Sequence, residues 1–182
     1  MNKPNGYEEA QVFELMSVLP AGGYKCIIKK AVCETAKNGK EFLKLNIDIA
    51  EGEYAKYYEK KFTADTRDDK KWSGVWVIFT EGYEDNTTNP KYKGLITAIE
   101  RSNPEFVFGH TNEKELENKK AGIVFREEEF VAADGRTLTS TKPFYAVDYA
   151  KAEEAEIPKR KKAASPASSV FETVDDYEGL PF

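Results

Sequence analysis

Histidine is almost absent from this chain, which has only His110. That excludes zinc sites built on two or three imidazoles, although one histidine leaves a Ser-His-Asp arrangement open. His110 sits in Phe108-Gly109-His110-Thr111-Asn112, which reads as a solvated loop. Cysteine is as scarce, with Cys26 and Cys33 alone. On one extended strand seven steps separate them by roughly 23 Å, against a Cα limit of about 7 Å for a disulfide. Their odd spacing assigns them to opposite faces. Two reduced thiols suit a reducing compartment and, beside one imidazole, make a poor zinc site. Long apolar runs are also missing. The longest, Val75–Phe79, has five residues, where a membrane span needs about 20. Met1-Asn2-Lys3-Pro4-Asn5-Gly6 lacks the apolar stretch of a secretion signal, so the expected location is cytoplasmic. No P-loop and no dinucleotide fingerprint is present; neither a cofactor nor a metal is expected.

What the chain does have is aromatic residues and charge. Of 182 residues, 40% are hydrophobic, 32% charged and 13% aromatic. This is wet for a compact fold but too apolar for a wholly disordered one, and the length suits one domain with a tail. The net charge of −5 does not advertise nucleic acid, but its distribution is uneven. Residues 20–72 carry +3, whereas 1–19 carry −2, 73–150 carry −4 and 151–182 carry −2. The positive excess falls where rings and lysines alternate.

The patterning predicts a mainly β domain over 1–151. Pro20-Ala21-Gly22-Gly23 breaks the chain before a strand at Tyr24–Thr35, and Asn38-Gly39 is a hairpin signal. In the next strand Leu43, Leu45, Ile47 and Ile49 alternate with Phe42, Lys44, Asn46 and Asp48, giving one buried and one exposed face. Glu51-Gly52 turns into an expected third strand, Tyr54–Ala64. Trp72–Phe79 fits a short helix or a strand. Pro90–Asn103 reads as a helix with its apolar stripe on Tyr92, Leu95, Ile96 and Ile99. Strands at Ala121–Ala133 and Thr137–Tyr149 flank an Asp134-Gly135 turn. Three strands, one helix and two strands is the element order of a five-stranded OB-fold barrel, with the helix between strands three and four. Residues 152–182 read as a disordered tail. It comprises a basic block, Lys159-Arg160-Lys161-Lys162, a small-residue linker, Ala163–Ser168, and an acidic stretch, Ser169–Phe182.

A single strand of nucleic acid offers unstacked bases to rings and phosphates to Lys or Arg. The exposed face of the second strand offers Phe42, Lys44 and Asn46. The expected third strand offers either Tyr58, Lys60 and Phe62 or Tyr57, Glu59 and Lys61, and the first set, ring-cation-ring, is preferred. Lys61 adds a further cation beside it. The first strand adds Lys25, Lys29 and Lys30, and the following loop adds Arg67, Lys70, Lys71 and Trp72. Rings are favoured in strands for packing alone, and strand lysines also discourage edge pairing. It is the cluster, not any single residue, that points to single-stranded DNA.

The final residues are Asp175-Asp176-Tyr177-Glu178-Gly179-Leu180-Pro181-Phe182. They resemble the acidic tip, closing in Ile-Pro-Phe, of bacterial single-stranded DNA-binding proteins. Here Leu replaces Ile, and Tyr177 and Gly179 interrupt the acidic run. The resemblance implies that Asp175, Asp176, Glu178, Leu180, Pro181 and Phe182 dock on replication or repair proteins. An apolar, proline-set end with a carboxylate fits such capture on physical grounds as well. The body resembles OB-fold single-stranded DNA-binding proteins of phages and prophages of Gram-positive bacteria. The matching segments are Leu19–Tyr24, Ala50–Tyr54, Ala64–Trp72 and Phe125–Phe130. That resemblance implies a role in phage DNA replication or recombination in the cytoplasm of a bacterial host. Two rivals stand beside it. A metal-dependent nuclease would use Asp48, Glu51, Glu53 and Lys56, but their spacing matches no nuclease pattern. An OB-like protein–protein adaptor would suit the acidic total.

Overall fold

Period-two alternation and hairpin turns together dictate a sheet, and the computed structural model, which describes residues 3–5, 7–8, 18–82, 84 and 87–163, shows one. Its strands are β1 (Gly22–Thr35), β2 (Glu41–Ile49), β3 (Val75–Phe79), β4 (Lys120–Val131) and β5 (Thr137–Val147). All neighbours are antiparallel, in the order β3-β2-β1-β4-β5. The sheet is open, not a closed barrel, with β3 and β5 at its two ends.

Leu43, Leu45, Ile47 and Ile49 of β2 are buried, as strict alternation requires. Cys26, Ile28 and Ala31 of β1 and Ala121, Ile123 and Phe125 of β4 join them in the core. Helix α2 (Pro90–Ser102) lies in the chain between β3 and β4. The Asn89 side chain accepts the Lys91 amide at 2.9 Å, and proline occupies the first turn, where its missing N–H costs nothing. Leu95, Ile96 and Ile99 form the buried stripe, each contributing about 2 kcal/mol of burial. Tyr92 is only partly buried at its edge.

Four expectations are corrected. First, Tyr54–Ala64 is not a strand. It is a turn leading into a second helix, α1 (Tyr57–Ala64). Glu, Lys and Ala favour helix and are poor in strands, and no β-branched residue but Thr63 lies in the segment. Second, the third strand is not Tyr54–Ala64 but Val75–Phe79, within the segment for which a strand was one of two open readings, and it pairs with β2 from Phe42↔Phe79 to Asn46↔Val75. Third, Cys26 and Cys33 share a face. The register between β1 and β2 slips at Ile28/Lys30, so Lys29 is an extra residue in a β-bulge, and the slip cancels the odd spacing. Both thiols are free, Cys26 buried and Cys33 exposed.

Fourth, the packed chain does not stop at 151. A 3-10 helix covers Tyr149–Glu154 with Ala152 fully buried. Farther on, Lys161 makes a parallel bridge to Glu128 of β4. The acidic tip lies outside the described residues. No helix among those described is long and apolar enough to cross a membrane.

Candidate nucleic-acid interface

Side chains on β2 that alternate with the core residues point to the opposite face of the sheet. Cross-strand register arranges that face in three rows. Phe42 stands between Glu34 and Phe79, Lys44 between Val32 and Val77, and Asn46 between Lys30 and Val75. The Phe42 and Phe79 rings meet at 5.7 Å with a 56° tilt. Phe79 is 39% exposed and Val77 47%. Lys44 pairs with Glu34 at 3.7 Å. The result is an open surface with two adjacent rings at one end and two lysines, Lys44 and Lys30, behind them. Phe42, Lys44 and Lys30 were expected there. Val77 and Phe79 were not, because a run that is apolar at every position hides which side is outward.

The same face ends in an acid. Asp48 follows Asn46 by two residues but is 1% exposed, because α1 covers it. Its Oδ1 accepts the Ile49 and Tyr58 amides at 2.9 Å each, and its Oδ2 accepts the Glu59 amide at 3.3 Å. The residue preceding α1, Lys56, is left-handed (φ 60°) and caps nothing with its side chain. Asp48 therefore satisfies the first-turn donors of a helix that begins nine residues later. It also places that helix at the end of the lysine face.

Burial pushes the Asp48 carboxyl above its ordinary value, although the three amides and Lys29 pull it down. A folded-state value above the unfolded one, near 4, means that the stability it contributes is complete below that point. That contribution is lost as pH rises through the raised folded value. Asp48→Asn, which keeps Oδ1 and cannot ionise, is therefore expected to change stability by less than about 1 kcal/mol at neutral pH and to flatten its pH dependence. Asp48→Ala, which strands three amides, is expected to cost about 2–3 kcal/mol. Urea melts at pH 5 and pH 8 measure both.

Because α1 is a helix, the expected outward set is redistributed. Tyr58 is only 6% exposed and belongs to the core, and burial raises its hydroxyl well above the usual range. Its ring lies so close to Gly74 that a Cβ there would sit 2.6 Å from it. Lys60 and Lys61 are exposed on the helix, Lys61 over the Tyr57 ring at 6.0 Å. Phe62 is half-buried against Trp72, with centroids 5.8 Å apart, and Lys70 lies over Phe62 at 4.8 Å. The Trp72 indole N–H donates to the Ile47 carbonyl at 3.0 Å, which ties this ring pair to β2.

The other expected cations are divided. Lys29, in the bulge, pairs with Glu59 of α1 at 3.8 Å. Lys25 is half-buried and engaged by Glu51 and Glu153 at 3.4 and 3.6 Å, with its Nζ over the Tyr149 ring. It lies apart from the lysine face, beside the Tyr149–Glu154 helix. Arg67 is held by Asp65 through contacts of 2.6 and 2.9 Å, and this guanidinium draws the Asp65 carboxyl down to about 2. Among the described residues Lys30, Lys60 and Lys71 have no carboxylate partner.

The carboxylates considered for a nuclease take other duties. Asp48 caps α1, and Glu51 accepts the Tyr149 hydroxyl at 2.8 Å while pairing with Lys25. Among the described residues no group of three or more His, Cys, Asp or Glu is placed to hold a metal ion. His110 stays on an exposed loop, its Nδ1 3.0 Å from the Tyr92 hydroxyl.

Residues 5–79 match a family model described as a protein of unknown function, DUF669. That similarity spans 75 of 182 residues and takes in β1, β2, α1 and β3, the elements that build this face. No curated protein matches the chain.

Proposed function

We propose that the chain is a noncatalytic, sequence-tolerant binder of single-stranded DNA of the OB-fold type, acting in phage replication or recombination. The observation that carries this reading is the adjacent pair of outward rings, half-buried Phe42 and exposed Phe79, on a sheet face that continues through Lys44 and Lys30 to the lysines of α1. Rings that stack on any base, with cations that follow the backbone, need no base-edge readout. The strand order, with β3 and β5 at the two ends and α2 following β3, suits a partly open OB barrel, whose strand 2–3 face takes oligonucleotides. Recruitment of replication or repair proteins rests on the sequence of residues 175–182.

Oligo-dT titration, followed by Trp72 and tyrosine fluorescence, tests the proposal against a matched duplex. Saturable quenching is expected with the single strand only. If four lysines meet phosphates, the log–log salt slope is expected near about −2.8. No response to oligo-dT at low salt would reject the proposal, and a protein adaptor would then be the better reading.

A further inference from the structure

The basic block Lys159–Lys162 was expected in a disordered segment, and the acidic run Glu127-Glu128-Glu129 lies on β4. The structure brings them together. β4 pairs with β1 only as far as Phe125, because β1 begins at Gly22. Beyond that point, among the described residues, the edge of β4 that faced β1 is paired only with the chain's own C-terminal segment, at Lys161. The Glu129 amide donates to the Lys161 carbonyl at 2.8 Å, and the Lys161 amide donates to the Glu127 carbonyl at 3.0 Å. The Arg160 guanidinium lies 2.5 Å from Glu127 and 3.5 Å from Glu129. The Ala163 amide reaches Glu129 at 3.4 Å.

We propose that Lys159–Lys162 is a phosphate-binding element stored on the acidic edge of β4, and that a bound single strand takes it from Glu127 and Glu129. This deepens the single-strand reading and rests on it. Glu127 and Glu129, two steps apart on one strand, stand about 7 Å from each other. They present a row of anions, as consecutive phosphates do. Among the described residues the backbone pairing of the strap with β4 is a single bridge and not a ladder, and all four of its basic residues are exposed. Such a contact sits at the low-stability end of a structure, and a polyanion competes for it directly. In the free protein Glu127 and Glu129 hold the block in place through Arg160 and through the backbone of Lys161. On DNA its charges add phosphate contacts to those of the sheet face.

Amide hydrogen exchange on the full chain, read at Glu129 and Lys161, tests the proposal with oligo-dT and with inorganic polyphosphate. Both amides are expected to exchange at least tenfold faster when oligo-dT is bound. A variant with Glu127→Gln and Glu129→Gln is expected to bind oligo-dT several-fold more tightly at low salt. Lys159→Gln with Lys162→Gln is expected to make the salt slope shallower by about 1.4. Tight oligo-dT binding with unchanged protection, and with unchanged affinity in the double glutamine variant, overturns the strap and leaves the single-strand reading intact. Faster exchange with polyphosphate but no response to oligo-dT rejects the single-strand reading and keeps the anion site. Indifference to both ligands overturns the strap.

Discussion

Alanine at both Phe42 and Phe79 is expected to lower affinity for oligo-dT about a hundredfold while leaving the protein folded. A base stacked on a ring is worth about 1–3 kcal/mol, so two platforms at about 1.4 kcal/mol each remove roughly 3 kcal/mol, and each 1.4 kcal/mol is tenfold in affinity. The fold is expected to lose less. Phe79 is 39% exposed and Phe42 is half-buried, and neither ring contributes to the core cluster. Truncating both is expected to cost about 1–2 kcal/mol of stability, well short of the 3–5 kcal/mol of a fully buried ring. Tyr58→Ala is the contrasting variant. That ring fills the space between Gly74 and the core, and its loss is expected to lower the denaturation midpoint, with any change in binding following from unfolding. If the Phe42/Phe79 variant binds oligo-dT as tightly as the parent, the bases do not stack on this face.

The parts of the fold that were legible in the sequence are those whose cause is local. The alternation of β2 and the 3.6-residue stripe of α2 each state their own buried side, and Asn38-Gly39 and Asp134-Gly135 state their own turns. Hence Phe42 and Lys44 could be placed on a common outer face from spacing alone, whereas Lys30 reaches that face only through the bulge in β1. The misread parts have distant causes. Helix α1 carries no capping side chain of its own, since its cap is Asp48 on β2, so nothing next to Tyr57 announces a helix. The bulge at Lys29 reverses the parity of β1, and it is defined only by the register against β2.

The interface was half legible for the same reason. Val75–Phe79 is apolar throughout, so its period is invisible until pairing with β2 assigns Trp76 and Ile78 inward and Val77 and Phe79 outward. The strap is the extreme case. Glu127–Glu129 and Lys159–Lys162 are opposite in charge and about thirty residues apart, so no local pattern joins them. Only the pairing of Lys161 with the edge of β4 beyond Phe125 brings them together.

Gly23→Ala is expected to be the most destabilising single-methyl substitution in the sheet. A Cβ at this position would lie 1.7 Å from the carbonyl oxygen of Ala152 and 2.8 Å from its carbonyl carbon. Both are backbone atoms, so no rotamer change relieves the overlap, and either β1 or the Tyr149–Glu154 helix must move by more than an ångström. Ala152 is itself fully buried, and a Cβ on Gly122 would stand 3.0 Å from its methyl, so the helix cannot yield without opening the seam between β1 and β4. The expected cost is about 3 kcal/mol, the upper end for overpacking, or a fall of roughly 1–2 M in the urea midpoint.

The same displacement has a signature that a general loss of packing lacks. Glu153 and Tyr149, both on the displaced helix, hold Lys25, and Tyr149 also holds Glu51. Amides of 149–155 are therefore expected to lose protection ahead of those of β2. Uniform loss of protection, or a midpoint within experimental error of the parent, would show that the close approach of β1 to this helix does not hold the domain's C-terminal end in place.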